Sequence, residues 1–116
     1  MLRSCRQLNI KQWPRGLERP MAVVDLEPSD LARRCKITFS ETQDDLDLLL
    51  GAVIETPSGK HFALVRHLRS QSPGTEVWTA VDSPDLDADL EEVLEALGLG
   101  AGDVTWTAPE VRSFER

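Results

Sequence analysis

Hydrophobic and polar positions are most informative between Gly51 and His67, in the middle of the chain. Two runs rich in β-branched, aliphatic and aromatic side chains flank Pro57-Ser58-Gly59, a combination that predicts a β-hairpin. A three-residue loop places Thr56 opposite Lys60, Ile54 opposite Phe62 and Ala52 opposite Leu64 on one face. Glu55 with His61, Val53 with Ala63 and Gly51 with Val65 share the other. Each face is apolar at its centre, so the pattern predicts a central strand pair covered on both sides.

The other elements follow from shorter signals. Ala22–Leu26 reads as a strand ended by Glu27-Pro28, and Ser29 or Asp30 can cap a helical turn running to Arg34. Lys36-Ile37-Thr38-Phe39 is rich in strand formers. Ser40 and Gln43 have capping-box spacing, which predicts a helix over Glu41–Leu50; alternatively, Leu48-Leu49-Leu50 opens the next strand. After a loop at Arg69–Thr75, Glu76–Asp82 is a strand with Val77 and Val81 on one side and Trp78 and Ala80 on the other. Ser83-Pro84-Asp85 then starts a helix whose Leu86, Leu90, Val93, Leu94 and Leu97 form an apolar stripe, with Gly98 as its terminator. Asp103–Ala108 is a last strand, with Val104 and Trp106 assigned to its buried face. The order predicts an α+β fold: a mainly antiparallel sheet of four to five strands with two helices packed on one face.

Composition narrows the class. At 116 residues the chain suits one domain, placed at 21–109, with a basic, poorly ordered extension at 1–20 and a tail at 110–116. The extension holds five basic side chains and one acid, while the rest holds 8 basic and 19 acidic, so a body of −11 carries a segment of +4. Such a body repels phosphate backbones and favours basic partners, which argues against direct nucleic-acid binding. No apolar run is long enough to span a membrane, and a soluble chain is expected. Residues 1–20, with Leu2, Leu8, Ile10 and Trp13 among arginines, suit a mitochondrial transit peptide or an upstream extension before a start at Met21. The second is preferred, with a cytoplasmic location, and an organellar one if the segment is a transit peptide. Cys5 and Cys35 form no metal or redox motif, so a reducing compartment is expected, with Cys35 as a small buried hydrophobe. Arg33, Arg34 and Lys36 leave a reactive thiol as the minority reading.

Two clusters carry candidate function. The first is the helix bearing Asp85, Asp87, Asp89, Glu91, Glu92 and Glu95 with no basic residue between Pro84 and Gly98. A helix built for stability would gain from Glu-to-Lys pairs at i,i+4, so a single sign points to docking on a basic surface. Asp85-x-Asp87-x-Asp89 opens like a calcium loop but has Leu90 and Ala96 where glycine and glutamate are needed, so no metal is expected. The second is Arg66, His67, Arg69, Ser70 and Ser72, where arginine forks could hold a small anion. His61 opposite Glu55 is a possible acid–base pair, more simply read as a surface pair, and no nucleophile or cofactor motif appears. The sequence therefore predicts a small acidic, non-catalytic interaction protein of the inhibitor, immunity, antitoxin or adaptor kind. The alternative is an anion-binding or enzyme subunit using Arg66–Ser72. A homodimer is a further expectation if Trp78 or the last strand lies at a sheet edge.

Overall fold

The hairpin pairs as its alternation requires. In a computed structural model, which describes residues 6–8, 16–17, 19–44, 47–70 and 72–112, Ala52 faces Leu64, Val53 faces Ala63 and Ile54 faces Phe62. Glu55 faces His61, and the amide of Thr56 donates to the carbonyl of Lys60 at 2.9 Å to close the turn. These strands, β4 (Asp47–Glu55) and β5 (His61–His67), lie inside a seven-stranded antiparallel sheet. Its other strands are β1 (Arg6–Leu8), β2 (Arg19–Val24), β3 (Ser40–Asp44), β6 (Thr75–Thr79) and β7 (Val104–Thr107). The order is β1-β4-β5-β6-β2-β7, and β3 also pairs with β4, beside β1 on the same edge.

Two helices, α1 (Pro28–Cys35) and α2 (Leu86–Leu97), pack on one face. Leu31 and Cys35 of α1 and Leu86, Leu90, Val93, Leu94 and Leu97 of α2 meet Val24, Ala52, Ile54, Phe62, Leu64 and Val77 of the sheet. Burial of the five α2 aliphatics contributes on the order of 10 kcal/mol gross, far more than any single charge contact on that helix. The opposite face carries a smaller cluster of Leu17, Leu49, Val53, Ala63 and Val65, with Leu8 and Trp78 packed against it.

Several expectations are corrected. The extension is not separate from the domain: Arg6–Leu8 pair with β4, Leu17 is buried, and β2 starts at Arg19, before the assigned boundary. Leu2, Cys5, Ile10 and Trp13 lie outside the described residues. The helix expected at Glu41–Leu50 is instead the β3–β4 pair, because residues 41–44 offer no apolar stripe and the leucine run continues Ala52–Ile54. The strand expected at Lys36–Phe39 is absent: Lys36 ends α1 in the left-handed region at φ 60°, which turns Ile37 into the core. The first helix is therefore α1, with Pro28 at its start, and it reaches Cys35.

At the C-terminal end the corrections concern facing. β6 stops at Thr79, which leaves Val81 exposed. Trp106 does not join the core but stays 46% exposed. It pairs with Val23, while Val104 pairs with Val24, so a bulge at Thr105 reverses the alternation and places Val104 and Trp106 on opposite faces. Trp78 lies on β6 between β5 and β2, not at an edge, whereas β7 is an edge strand.

Just before β6, the chain at Gly74 lies tightly against β2. Gly74 has φ +101°, and a Cβ there would lie 2.5 Å from the carbonyl oxygen of Val24. Gly59, at φ +88°, has nothing within 4 Å of the same position. Gly74→Ala should therefore destabilise the fold by about 2 kcal/mol or more, and Gly59→Ala by roughly 1 kcal/mol. Urea unfolding with unchanged m-values checks the ranking, and equal losses would contradict it.

Candidate functional site

Helix α2 starts where Asp85 accepts the amide of Ala88 at 3.1 Å; the cap is Asp85 rather than Ser83. It ends at Gly98, left-handed at φ 72°, where the amide of Leu99 returns to the carbonyl of Leu94 at 2.8 Å. Between these caps the six carboxylates have different fates. Asp87 accepts the backbone amide of Arg112 at 2.7 Å and ties down the chain after β7. Asp89 points inward and is only 4% exposed. Its carboxylate accepts from Lys60 Nζ at 2.7 Å, from Thr79 Oγ1 at 3.0 Å and from Ser83 Oγ. Glu92, nearly a turn further on, accepts from Ser58 Oγ at 2.6 Å and from Thr56 Oγ1, with Lys60 Nζ 3.8 Å away. Glu91 and Glu95 are exposed, and no ion pair reaches either among the described residues.

The row therefore divides. Asp85, Asp87, Asp89 and Glu92 serve the fold, and Asp89 in particular does not belong to an outward docking ridge. Lys60, Thr56, Ser58, Thr79 and Ser83 are not among the site residues expected from sequence, although the turn pairing and the helix start name four of them. The available signal was a one-signed helix whose nearest lysine sits in the hairpin turn, in a register already fixed.

The Lys60–Asp89 node resembles a catalytic cluster only in its residue types. Burial alone would push the Asp89 carboxyl up, but hydrogen bonds from Lys60, Ser83 and Thr79 outweigh it and bring it below the usual carboxylate range. The hydrogen bond to Asp89 raises the Lys60 ammonium. A lysine held charged cannot act as a base toward Ser83, and a carboxylate held ionised is a weak one. A pocket of about 190 Å³ lies beside the node, lined in part by His61, Asp82 and Pro84. The arrangement binds the hairpin turn to α2 and offers no activated nucleophile.

The outward acids border something different. An open groove of about 410 Å³ runs along the last turns of α2, lined by Glu91, Leu94, Glu95, Leu99 and Ala101 with Gly98 and Gly100. The last turn of α2 holds no basic residue, so the negative end of the helix dipole adds to Glu95, one turn beyond Glu91. The groove thus offers an apolar strip beside two carboxylates. The Cys35 thiol donates to the carbonyl of Leu97 at 3.3 Å below it, and burial pushes that thiol up, contrary to a reactive role.

The Arg66 cluster is largely turned inward. Arg66 is 18% exposed by side chain, and its guanidinium donates to the carbonyls of Gly74 at 3.0 Å, Ser70 at 3.3 Å and Ser72, with Glu27 at 3.6 Å. Those donors organise the loop and leave little for an anion. The adjoining cavity is about 50 Å³ and includes Glu76, which would repel one. His67 lies 3.7 Å from Glu76, and Arg69 is exposed in the turn after β5. On the same sheet face His61 meets Glu55 at 3.0 Å, and Glu55 also takes Arg6 at 2.5 Å. The Arg6 hydrogen bond, with that of His61, holds the Glu55 carboxyl below its ordinary range.

Among the described residues no group of three or more histidine, cysteine, aspartate or glutamate side chains is arranged to hold a metal ion. No helix there is long and apolar enough to cross a membrane. No family model, curated protein or solved structure matches the chain.

Asp89→Ala should cost about 2–4 kcal/mol at pH 7, because it leaves Lys60, Thr79 and Ser83 without their shared acceptor. The folded carboxyl lies below its unfolded value of about 3.9, so its stabilisation is full above that pH and is lost as pH falls through the lower folded value. Denaturant titrations of wild type and Asp89→Ala should therefore converge in acid below about pH 4. A gap independent of pH would show that the carboxylate charge contributes nothing.

Proposed function

We propose that this protein is a non-catalytic interaction module that docks a basic partner on the outer face of α2. The observation that carries this reading is the pair Glu91 and Glu95, exposed and unmatched by any cation among the described residues, beside the groove floored by Leu94 and Leu99. The two are spaced i,i+4, where like charges cost a few tenths of a kcal/mol, and Glu95 also sits in the last turn of α2, the end that disfavours anions. The apolar stripe holds the helix in place despite that cost, so folding does not require those two charges. A partner presenting lysine or arginine next to an aliphatic side chain suits both the charge and the strip. The net −11 of the chain after residue 20 would steer such a partner toward the surface.

The test begins with a photoreactive residue placed at exposed Ala101 in the native cell, to identify what crosslinks at the groove. Affinity for that partner should fall at least tenfold between low and physiological salt. Glu91→Lys combined with Glu95→Lys should abolish binding while stability stays equal or rises by up to about 1 kcal/mol, since lysine suits a helix C-terminus. A partner indifferent to both salt and the double reversal would overturn the proposal.

A further inference from the structure

Strand β4 is covered along one edge by two separate pieces of chain. β3 pairs with residues 47–51 through five positions, from Asp44↔Asp47 to Ser40↔Gly51. β1 pairs with residues 53–55 through three: Leu8↔Val53, Gln7↔Ile54 and Arg6↔Glu55. Each β1 side chain meets a distinct complement. Arg6, 70% exposed by side chain, gives its Nε to Glu55 at 2.5 Å. The Gln7 carboxamide accepts the amide of Thr38 at 2.9 Å and donates to the carbonyl of the same residue, as a neighbouring peptide would. Leu8 packs, only partly buried, against the cluster of Leu17, Leu49, Val53, Ala63 and Val65.

We infer that this edge is a strand-docking site for an extended segment bearing arginine, carboxamide and leucine at successive positions, and that Arg6–Leu8 fills it in cis as a displaceable pseudo-ligand. The recognition elements are the Glu55 carboxylate, the backbone amide and carbonyl of Thr38 and an apolar shelf, all supplied by residues outside β1. Specificity and hold are therefore separable. The seat belongs mainly to β4 and the 36–39 segment, while β1 holds on by three strand pairs, the two Gln7 hydrogen bonds, the partly buried Leu8 and an ion pair whose arginine is exposed. Charge favours the same assignment, because residues 1–20 carry +4 against −11 for the remainder. Addition of a strand to an exposed edge gives affinity through backbone bonds and specificity through side-chain seats, as here. A cis segment competes at an effective concentration in the millimolar range, so the intact chain should hold outside segments weakly. This surface is separate from the α2 groove, and its test does not depend on that reading.

The probe is a labelled peptide of residues 6–12, titrated by NMR into the full ¹⁵N-labelled chain and into a variant carrying Arg6→Glu and Leu8→Asp. The peptide should bind the variant at least tenfold more tightly than the intact chain, with shifts centred on Val53–Glu55 and Thr38. Adding Glu55→Arg to the variant should abolish binding of this peptide and allow binding of its counterpart with glutamate in the first position. Equal binding to intact and ejected chains, or none to a folded ejected chain, overturns the inference. If the ejected variant does not fold, excess peptide must move the Arg6–Leu8 signals of the intact chain, and their immobility overturns it equally. Dimerisation of the intact chain through its own strand, without displacement by peptide, replaces the outside partner with a second copy and also overturns it.

Discussion

The pairing of β4 with β5 is the constraint from which the remaining geometry follows. Because a strand alternates its side chains, one register decides both cores at once. Ile54, Phe62 and Leu64 are committed to the helices, while Val53, Ala63 and Val65 are committed to the opposite face. The same register places Lys60 just past the turn, under the start of α2, and sets Glu55 beside His61 near the edge. A slip of one residue would set side chains meant for one core against the other and carry Lys60 away from Asp89. The tight turn at Pro57–Gly59, with Gly59 left-handed at φ +88°, is what makes such a slip unfavourable.

Legibility in the sequence followed the strength of the local period. The hairpin and α2 could be read because each repeats one period over several turns or residues and ends at a glycine suited to it. The helix expected over Glu41–Leu50 fails because a capping-box spacing at Ser40 and Gln43 occurs by composition, with no apolar stripe behind it, whereas the alternative, a strand that takes in Leu48–Leu50, is what the structure shows. Trp106 was misplaced because a bulge in β7 is invisible to a two-residue alternation. Prolines and arginines give residues 1–20 the look of a segment outside the fold, yet the two-sided hairpin requires cover for its second face. Leu8 and Leu17 supply part of that cover.

The candidate site was half legible, and the reason is geometric. Composition locates six acids on one helix but not the angle at which that helix rests. At about 100° per residue, Glu91 and Glu95 lie about 40° apart, and Glu91 lies about 160° from Asp89. The leucine stripe fixes which sector faces the sheet, and Asp89 lies at its flank, about 40° beyond Val93, where it is still buried. A carboxylate there must find donors or be expelled. Lys60, Thr79 and Ser83, from two neighbouring segments, supply them.

Two populations of negative charge thus share one helix under opposite rules. Asp89 and Glu92 are anchored by a turn lysine and hydroxyls, so removing them unbalances buried or half-buried donors. Among the described residues Glu91 and Glu95 meet no cation, and their mutual repulsion weakens the helix slightly. Replacing Glu95 with lysine would improve the helix on its own terms through both the dipole and the i,i+4 pairing, and replacing Glu91 would do so through the pairing. The sign pattern on that outer sector therefore has no folding rationale, and stability arguments explain only the inner one. A partner that brings its own cation to the groove is the arrangement in which the outer acids become favourable rather than merely tolerated.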